Sequence, residues 1–221
     1  METKTIIVLA NSTKNRGHCI AGIEYANGNW IRPVSNYGNG ELYPQQISFS
    51  DGAQPSLLDL VEIPVAANAK SPLQPENWTI QEGVVWKKKL EGKCSQDIVL
   101  SMVAEPDNLW LQPEYESNRN SHDYLLSHPP YSSLTLVRIP TAKLWKDRNI
   151  NGKEIVRSFF SYRGVNYSLN VTDPNVDSFL NGANAVDIKD VLICVSLCPS
   201  FFNNHAGEYQ HFKVVASIIL L

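Results

Sequence analysis

Long hydrophobic runs are missing from this 221-residue chain. Nothing approaches the roughly 18–20 consecutive apolar residues of a membrane helix. The first apolar run, Ile6 to Ala10, is too short for a signal core, and Glu2 stands where positive charge is expected. Cysteine is scarce as well. Cys19, Cys94, Cys194 and Cys198 are too few for a disulfide scaffold of this size and read as reduced thiols in a cytoplasmic protein. In that setting the N-x-S/T matches at Asn11, Asn77, Asn166 and Asn170 imply no glycosylation. No charge of one sign dominates: 19 basic against 22 acidic side chains give −3, which excludes a histone-like coat but leaves room for local basic patches. Alanine is thin, 13 residues against 34 Val plus Ile, which favours strands over helices. An apolar share of 43% excludes wholesale disorder, and 12 Gly with 13 Pro are too few for a collagen-like chain.

Catalytic signatures are absent too. There is no G-x-S-x-G elbow, P-loop, G-x-G-x-x-G or H-E-x-x-H, so no catalytic residue is assigned and no cofactor is implied. Cys194 and Cys198 on a strand would stand about 13 Å apart, too far for one tetrahedral zinc, so no metal is expected.

What is present is a succession of short β-type runs punctuated by turns. Thr5–Ala10 and Cys19–Ala26 lead through Asn27-Gly28, a hairpin signal, into Trp30–Ser35. There the period of two places Trp30, Arg32 and Val34 on one face, while Pro33 cannot donate to a ladder. Leu57–Val65 continues the pattern, and Ser95–Val103 has the spacing of one short amphipathic helix. Glu105–Pro130 carries four prolines and a net charge of −4, the texture of a loop or cover and a candidate boundary. Strands resume over Ser132–Lys143, Glu154–Tyr162, Val165–Val171 (turned by Arg163-Gly164), Val191–Leu197 and His211–Ile219, with a helical turn at Asn175–Asn181. The expected fold is all-β, with one or two short helices, and antiparallel because the strands run in hairpins.

The best cluster for binding lies around the first hairpin: Asn11, Ser12, Lys14 and Arg16 in the loop, then Trp30 and Arg32. A Trp face can stack on a base, cations meet phosphates, and Asn fixes orientation. The competing reading packs Trp30 into a core and sets Arg32 against a carboxylate. Two further stretches, Trp86–Lys93 and Lys143–Arg157, each carry +3 with an aromatic, Trp86 or Trp145. Such runs are more often solvated faces or edge guards. Trp78 in Gln74-Pro75-Glu76-Asn77-Trp78 and Asp173 in Thr172-Asp173-Pro174 are lesser candidates, and Asp173 suits a cap better. Tyr209, His211 and Lys213 would share one face of the last strand.

Ordered along the chain, Val8-Leu9-Ala10-Asn11-Ser12-Thr13-Lys14, Cys19-Ile20-Ala21-Gly22, Trp30-Ile31-Arg32-Pro33-Val34-Ser35, Leu58-Asp59-Leu60-Val61-Glu62-Ile63-Pro64, Gln74–Trp78, Val171-Thr172-Asp173-Pro174, Cys194-Val195-Ser196-Leu197 and His211-Phe212-Lys213-Val214-Val215-Ala216 together resemble the bacterial dual OB-containing domain family. The resemblance implies two OB-like antiparallel barrels packed as one unit. The barrels are expected at 1–105, with the short helix, and 131–221, joined by an acidic connection over 106–130; strand exchange between the halves is the alternative. OB barrels mostly bind oligonucleotides, so the expected function is non-catalytic binding of single-stranded nucleic acid or a nucleotide. Asn11, Lys14, Arg16, Trp30, Arg32, Trp78 and Asp173 are the expected site residues, and no membrane partner is expected. A nucleotide pocket at the barrel junction, with catalysis, and a protein-docking module are the rivals.

Overall fold

The structure, a computed structural model, describes residues 2–14 and 17–221, the Lys14 side chain excepted. The chain forms two compact units, Met1–Met102 and Val103–Leu221. In the first, β1 (Glu2–Lys14), β2 (Gly17–Glu24), β3 (Trp30–Val34), β4 (Leu60–Asn68) and β5 (Asn77–Ile80) pair in the order β1-β2-β3-β5-β4, and β4 returns to β1. The ring is closed. The short α1 (Pro44–Ile47) sits between β3 and β4, β6 (Lys87–Lys88) adds an edge to β4, and α2 (Gln96–Leu100) follows. Alternate residues Ile6, Val8, Ile20, Ile31, Val61 and Ile63 fill the interior, as the period of two requires.

The second unit contains β7 (Arg119–Ser121), α3 (His122–Ser127), β8 (Leu134–Arg148), β9 (Glu154–Tyr162), β10 (Val165–Val171), α4 (Val176–Leu180), β11 (Ala185–Leu197), β12 (Phe201–Asn203) and β13 (Glu208–Leu220). Here β8-β9-β10-β13-β11 close on β8. Strand for strand this is the ring of the first unit, with a helix again between the third and fourth strands. No residue-level repeat announces it.

One feature of the barrels departs from expectation. They are not antiparallel throughout: β3 runs parallel to β5, and β10 parallel to β13. Five strands in a ring cannot alternate direction all the way round, since five is odd, so at least one neighbouring pair must run parallel. Hairpin signals report only local pairs and miss it. β3 divides its pairing, first half to β2 and second half to β5, and ends one residue beyond Pro33.

Segment 106–130, expected as a connection, lies inside the second unit. Leu109 is fully buried in its core, and the Leu109 N–H donates to the Tyr167 hydroxyl at 3.0 Å. The Tyr162 hydroxyl donates to the Pro106 carbonyl at 2.8 Å, and β7 pairs with β13. The acidic count obscured Leu109 and Trp110, whose apolar surface drives this docking. Among the described residues no helix is long and apolar enough to cross a membrane.

The second barrel also buries a lysine. Lys213 is 1% exposed, and its Nζ donates to the Ser117 carbonyl at 3.0 Å. Burial pulls its pKa down from 10.5 to about 7. The folded chain therefore binds fewer protons than the unfolded one between those two values, and stability should climb with pH across that window. Below it both states are protonated, and the fold bears the whole cost. Lys213→Met should raise the melting temperature at pH 7 by about 5 °C or more and flatten the climb toward pH 10. Thermal unfolding at several pH values checks this; a lower melting temperature with the climb intact would show that the ammonium is not the cost.

Candidate nucleic-acid interface

Of the residues expected around the first hairpin, Asn11, Trp30 and Arg32 are each held by neighbours within the fold. Asn11 is committed twice: its Nδ2 donates to the Pro55 carbonyl and its Oδ1 accepts from His18 Nδ1, both at 2.8 Å. Burial lowers the His18 pKa and favours the neutral ring. Arg16 and the Lys14 side chain lie outside the described residues. Trp30 is half-buried opposite Ile23, itself opposite Ile7, so it completes an apolar row. Arg32 Nη2 stands 3.4 Å from Oε1 of Glu76, whose side chain is 2% exposed, and the Arg32 amide donates to the Glu76 carbonyl at 2.9 Å. That guanidinium neutralises a buried carboxylate, as the competing reading has it for Arg32, whereas Trp30 is half-buried and not part of the barrel core that reading gave it.

Trp78 lies opposite Pro33, on the core side of the sheet and away from Arg32. The Lys4 ammonium sits 4.3 Å above its ring and 3.4 Å from Glu24. Asp173 belongs to the second unit and is buried, accepting the Asn175 and Ile218 N–H groups at 2.9 Å each. Burial pushes its pKa up against those hydrogen bonds. It is a brace.

The other sequence candidates divide. Trp86 is 1% exposed and offers no stacking face. Of the β13 trio, Tyr209 is exposed while His211 and Lys213 are buried. His211 Nδ1 donates to the Cys198 carbonyl at 2.8 Å, which leaves its Nε2 to meet His122 Nδ1 at 2.9 Å. Burial, and then the neighbouring ring, lower its pKa, against the Cys198 hydrogen bond. All four cysteines are free thiols, and no group of three His, Cys, Asp or Glu among the described residues could hold a metal.

The Lys143–Arg157 stretch fares differently. Arg163 and Gly164 have φ of 47° and 78°, the two positive values of a tight two-residue hairpin. This turn sets Phe159 opposite Ser168, Arg157 opposite Asn170 and Ser161 opposite Asn166. On the other side of β9, Lys143 faces Phe159 and Trp145 faces Arg157. The outward face of β8, β9 and β10 thus carries two rows, Lys143–Phe159–Ser168 and Trp145–Arg157–Asn170. Phe159 is 41% exposed, and Trp145 is half-buried diagonally beside it. Arg157 Nε pairs with Asp147 at 2.9 Å; Lys143 makes no ion pair among the described residues. The sequence reading missed Phe159 and the β10 amides. The signal was there: turning the chain at Arg163-Gly164 gives their register by counting.

The model of the dual OB-containing domain family matches residues 4–218. No curated protein matches the chain. Among solved structures it is similar to a murine DNA-binding protein bound with double-stranded DNA, at 10% identity and a TM-score of 0.35 over 100% of both chains. A likeness that slight bears on neither fold nor function.

Asp173→Ala should destabilise the chain by about 2–4 kcal/mol, because two backbone N–H groups lose their acceptor. Asp173→Asn, which keeps one acceptor oxygen, should cost less. Urea unfolding of both variants checks the order; equal and small losses would mean that the brace contributes little.

Proposed function

The chain belongs to the dual OB-containing domain family, and on that premise we propose that it binds single-stranded nucleic acid on the outward face of β8, β9 and β10. One observation carries the reading: an exposed Phe159 and a half-buried Trp145 on adjacent strands, with Lys143 and Arg157 in the same two rows. OB barrels use the face of their second and third strands for oligonucleotides, and β9 and β10 hold those places in the second ring. The two aromatic faces take bases, each stack worth about 1–3 kcal/mol. Lys143 and Arg157 meet phosphates, while Asn166, Ser168 and Asn170 offer hydrogen bonds to base edges or sugars. The matching face of the first ring supports no such role, because its row is Ile7, Ile23 and Trp30. No bond is made or broken; the role is binding alone.

With a net charge of −3, the phosphate contribution is local and sensitive to salt. Labelled single-stranded DNA and RNA, followed by fluorescence anisotropy at low and moderate salt, test this. Phe159→Ala and Trp145→Ala should each weaken binding about 5–100-fold. Lys143→Gln should lower the salt slope by about one. Trp30→Ala, if folded by circular dichroism, should bind as the wild type does. Binding indifferent to salt, or unchanged in both aromatic variants, would sink the assignment.

A further inference from the structure

His122 and His211 meet where β7 and α3 lie against β13, outside the ring β8-β9-β10-β13-β11. Three residue pairs hold β7 there: Ser121 with Gln210, Asn120 with His211 and Arg119 with Phe212. Just before them the Lys213 amide donates to the Asn118 carbonyl at 2.8 Å. We propose that the two imidazoles form an acid-sensitive latch. It tolerates one added proton and, on taking up a second, releases residues 117–127 from β13 while the barrel stays closed.

Hydrogen-bond roles set how many protons the pair can hold. A carbonyl oxygen only accepts, so His211 Nδ1 carries the hydrogen that meets the Cys198 carbonyl at 2.8 Å. In the neutral ring His211 Nε2 is then a lone pair, and His122 Nδ1, 2.9 Å away, donates to it. His122 Nε2 is left as the open end of the chain, on a half-buried ring with no other hydrogen bond among the described residues. A first proton adds there and leaves both hydrogen bonds in place. A second has only His211 Nε2 to take it. It sets N–H against N–H and puts two cations side by side, with ring centroids 5.2 Å apart.

The surroundings offer that charge no counter-ion. His211 is 4% exposed and shares its side of β13 with Tyr209 and with buried Lys213, which is itself positive below about pH 7. On that side β7 brings the neutral amide of Asn120, β12 brings Phe202, β10 brings the Tyr167 ring beside the Lys213 ammonium, and the chain after β11 brings the Cys198 carbonyl. From α3 come His122 and, next to it, the exposed Asp123. Arg119 and Glu208 project from the other side of their strands, where Arg119 pairs with Glu116 and Glu208 accepts from the Tyr115 hydroxyl and the Gln210 amide. Burial and then the neighbouring ring lower the His211 pKa, so the closed form binds fewer protons than the open one below the ordinary value of 6.5. Opening therefore rises as pH falls.

Amide hydrogen exchange of the full-length chain between about pH 7 and pH 5, corrected for the intrinsic rate at each pH, tests the latch. The Lys213 amide and the β7 amides should lose protection as pH falls, by up to about tenfold per pH unit, the limit for a difference of one proton. The Thr172 amide, which donates to the Val215 carbonyl at the β10–β13 seam, should not follow. His211→Gln keeps a donor and an acceptor but cannot titrate, and should remove the slope. His122→Gln, whose amide oxygen can turn toward a protonated His211, should flatten it too and serves if the first variant does not fold. Lys213→Met should keep the slope below about pH 6, which separates the latch from the buried ammonium. Imidazole ¹⁵N spectra at neutral pH should show a proton on Nδ1 of both rings. Protection that ignores pH, a slope that survives both Gln variants or vanishes in Lys213→Met, Thr172 opening together with Lys213, or His122 protonated on Nε2 instead of Nδ1 at neutral pH overturns the latch.

Discussion

Closing five strands into a ring imposes one parallel seam, and the rest of each barrel is arranged around it. A seam cannot be bridged by a tight turn, and in both rings it is short: three residue pairs in β3–β5 and two in β10–β13. Polar side chains reinforce both. At the first seam, Arg32 donates its amide to the Glu76 carbonyl and sets its guanidinium against the Glu76 carboxylate. At the second, the Thr172 amide donates to Val215, and the Asp173 carboxylate takes the Ile218 amide one strand turn further along. Two of the expected site residues, Arg32 and Asp173, are thus fasteners of the same topological joint.

The same joint frees other surfaces. With the seam held from within, the outward faces of the first three strands need not resemble each other, and they do not. One is an apolar row of Ile7, Ile23 and Trp30; the other mixes Phe159 and Trp145 with Lys143, Arg157 and amides. Repetition resides in strand order and in the place of the helix, while the exposed chemistry of each ring is its own.

Much of the fold was legible in the sequence because strands and tight turns are local. The Arg163-Gly164 turn, the short helix near Ile98 and the turn of helix after Asn175 all follow from neighbours along the chain. The parallel seams were not legible, because no local signal joins Arg32 to Asn77 or Asn170 to Val214. The surroundings of the candidate site residues were not legible for a related reason. Whether Trp30 or Trp86 shows a face to solvent depends on strands far away in sequence, and so does the partner of Arg32. Lys143 and Trp145 were singled out by composition, yet Phe159 joins them only once β8 and β9 are in register. Leu109, set among carboxylates, is buried by core residues far away in sequence, its amide bonded to the Tyr167 hydroxyl.

The thirteenth strand pairs with β7, β10, β11 and β12, more partners than any other. Every pairing of the first ring, by contrast, is complete by Ile80. During synthesis from the N-terminus the first barrel can close as an early folding unit, while β8, β9 and β10 wait with open edges until residues up to Leu220 have emerged. The interval between those two closures is when the second barrel is most exposed to mispairing, and its charged outward rows and two-residue hairpin keep the waiting strands in register.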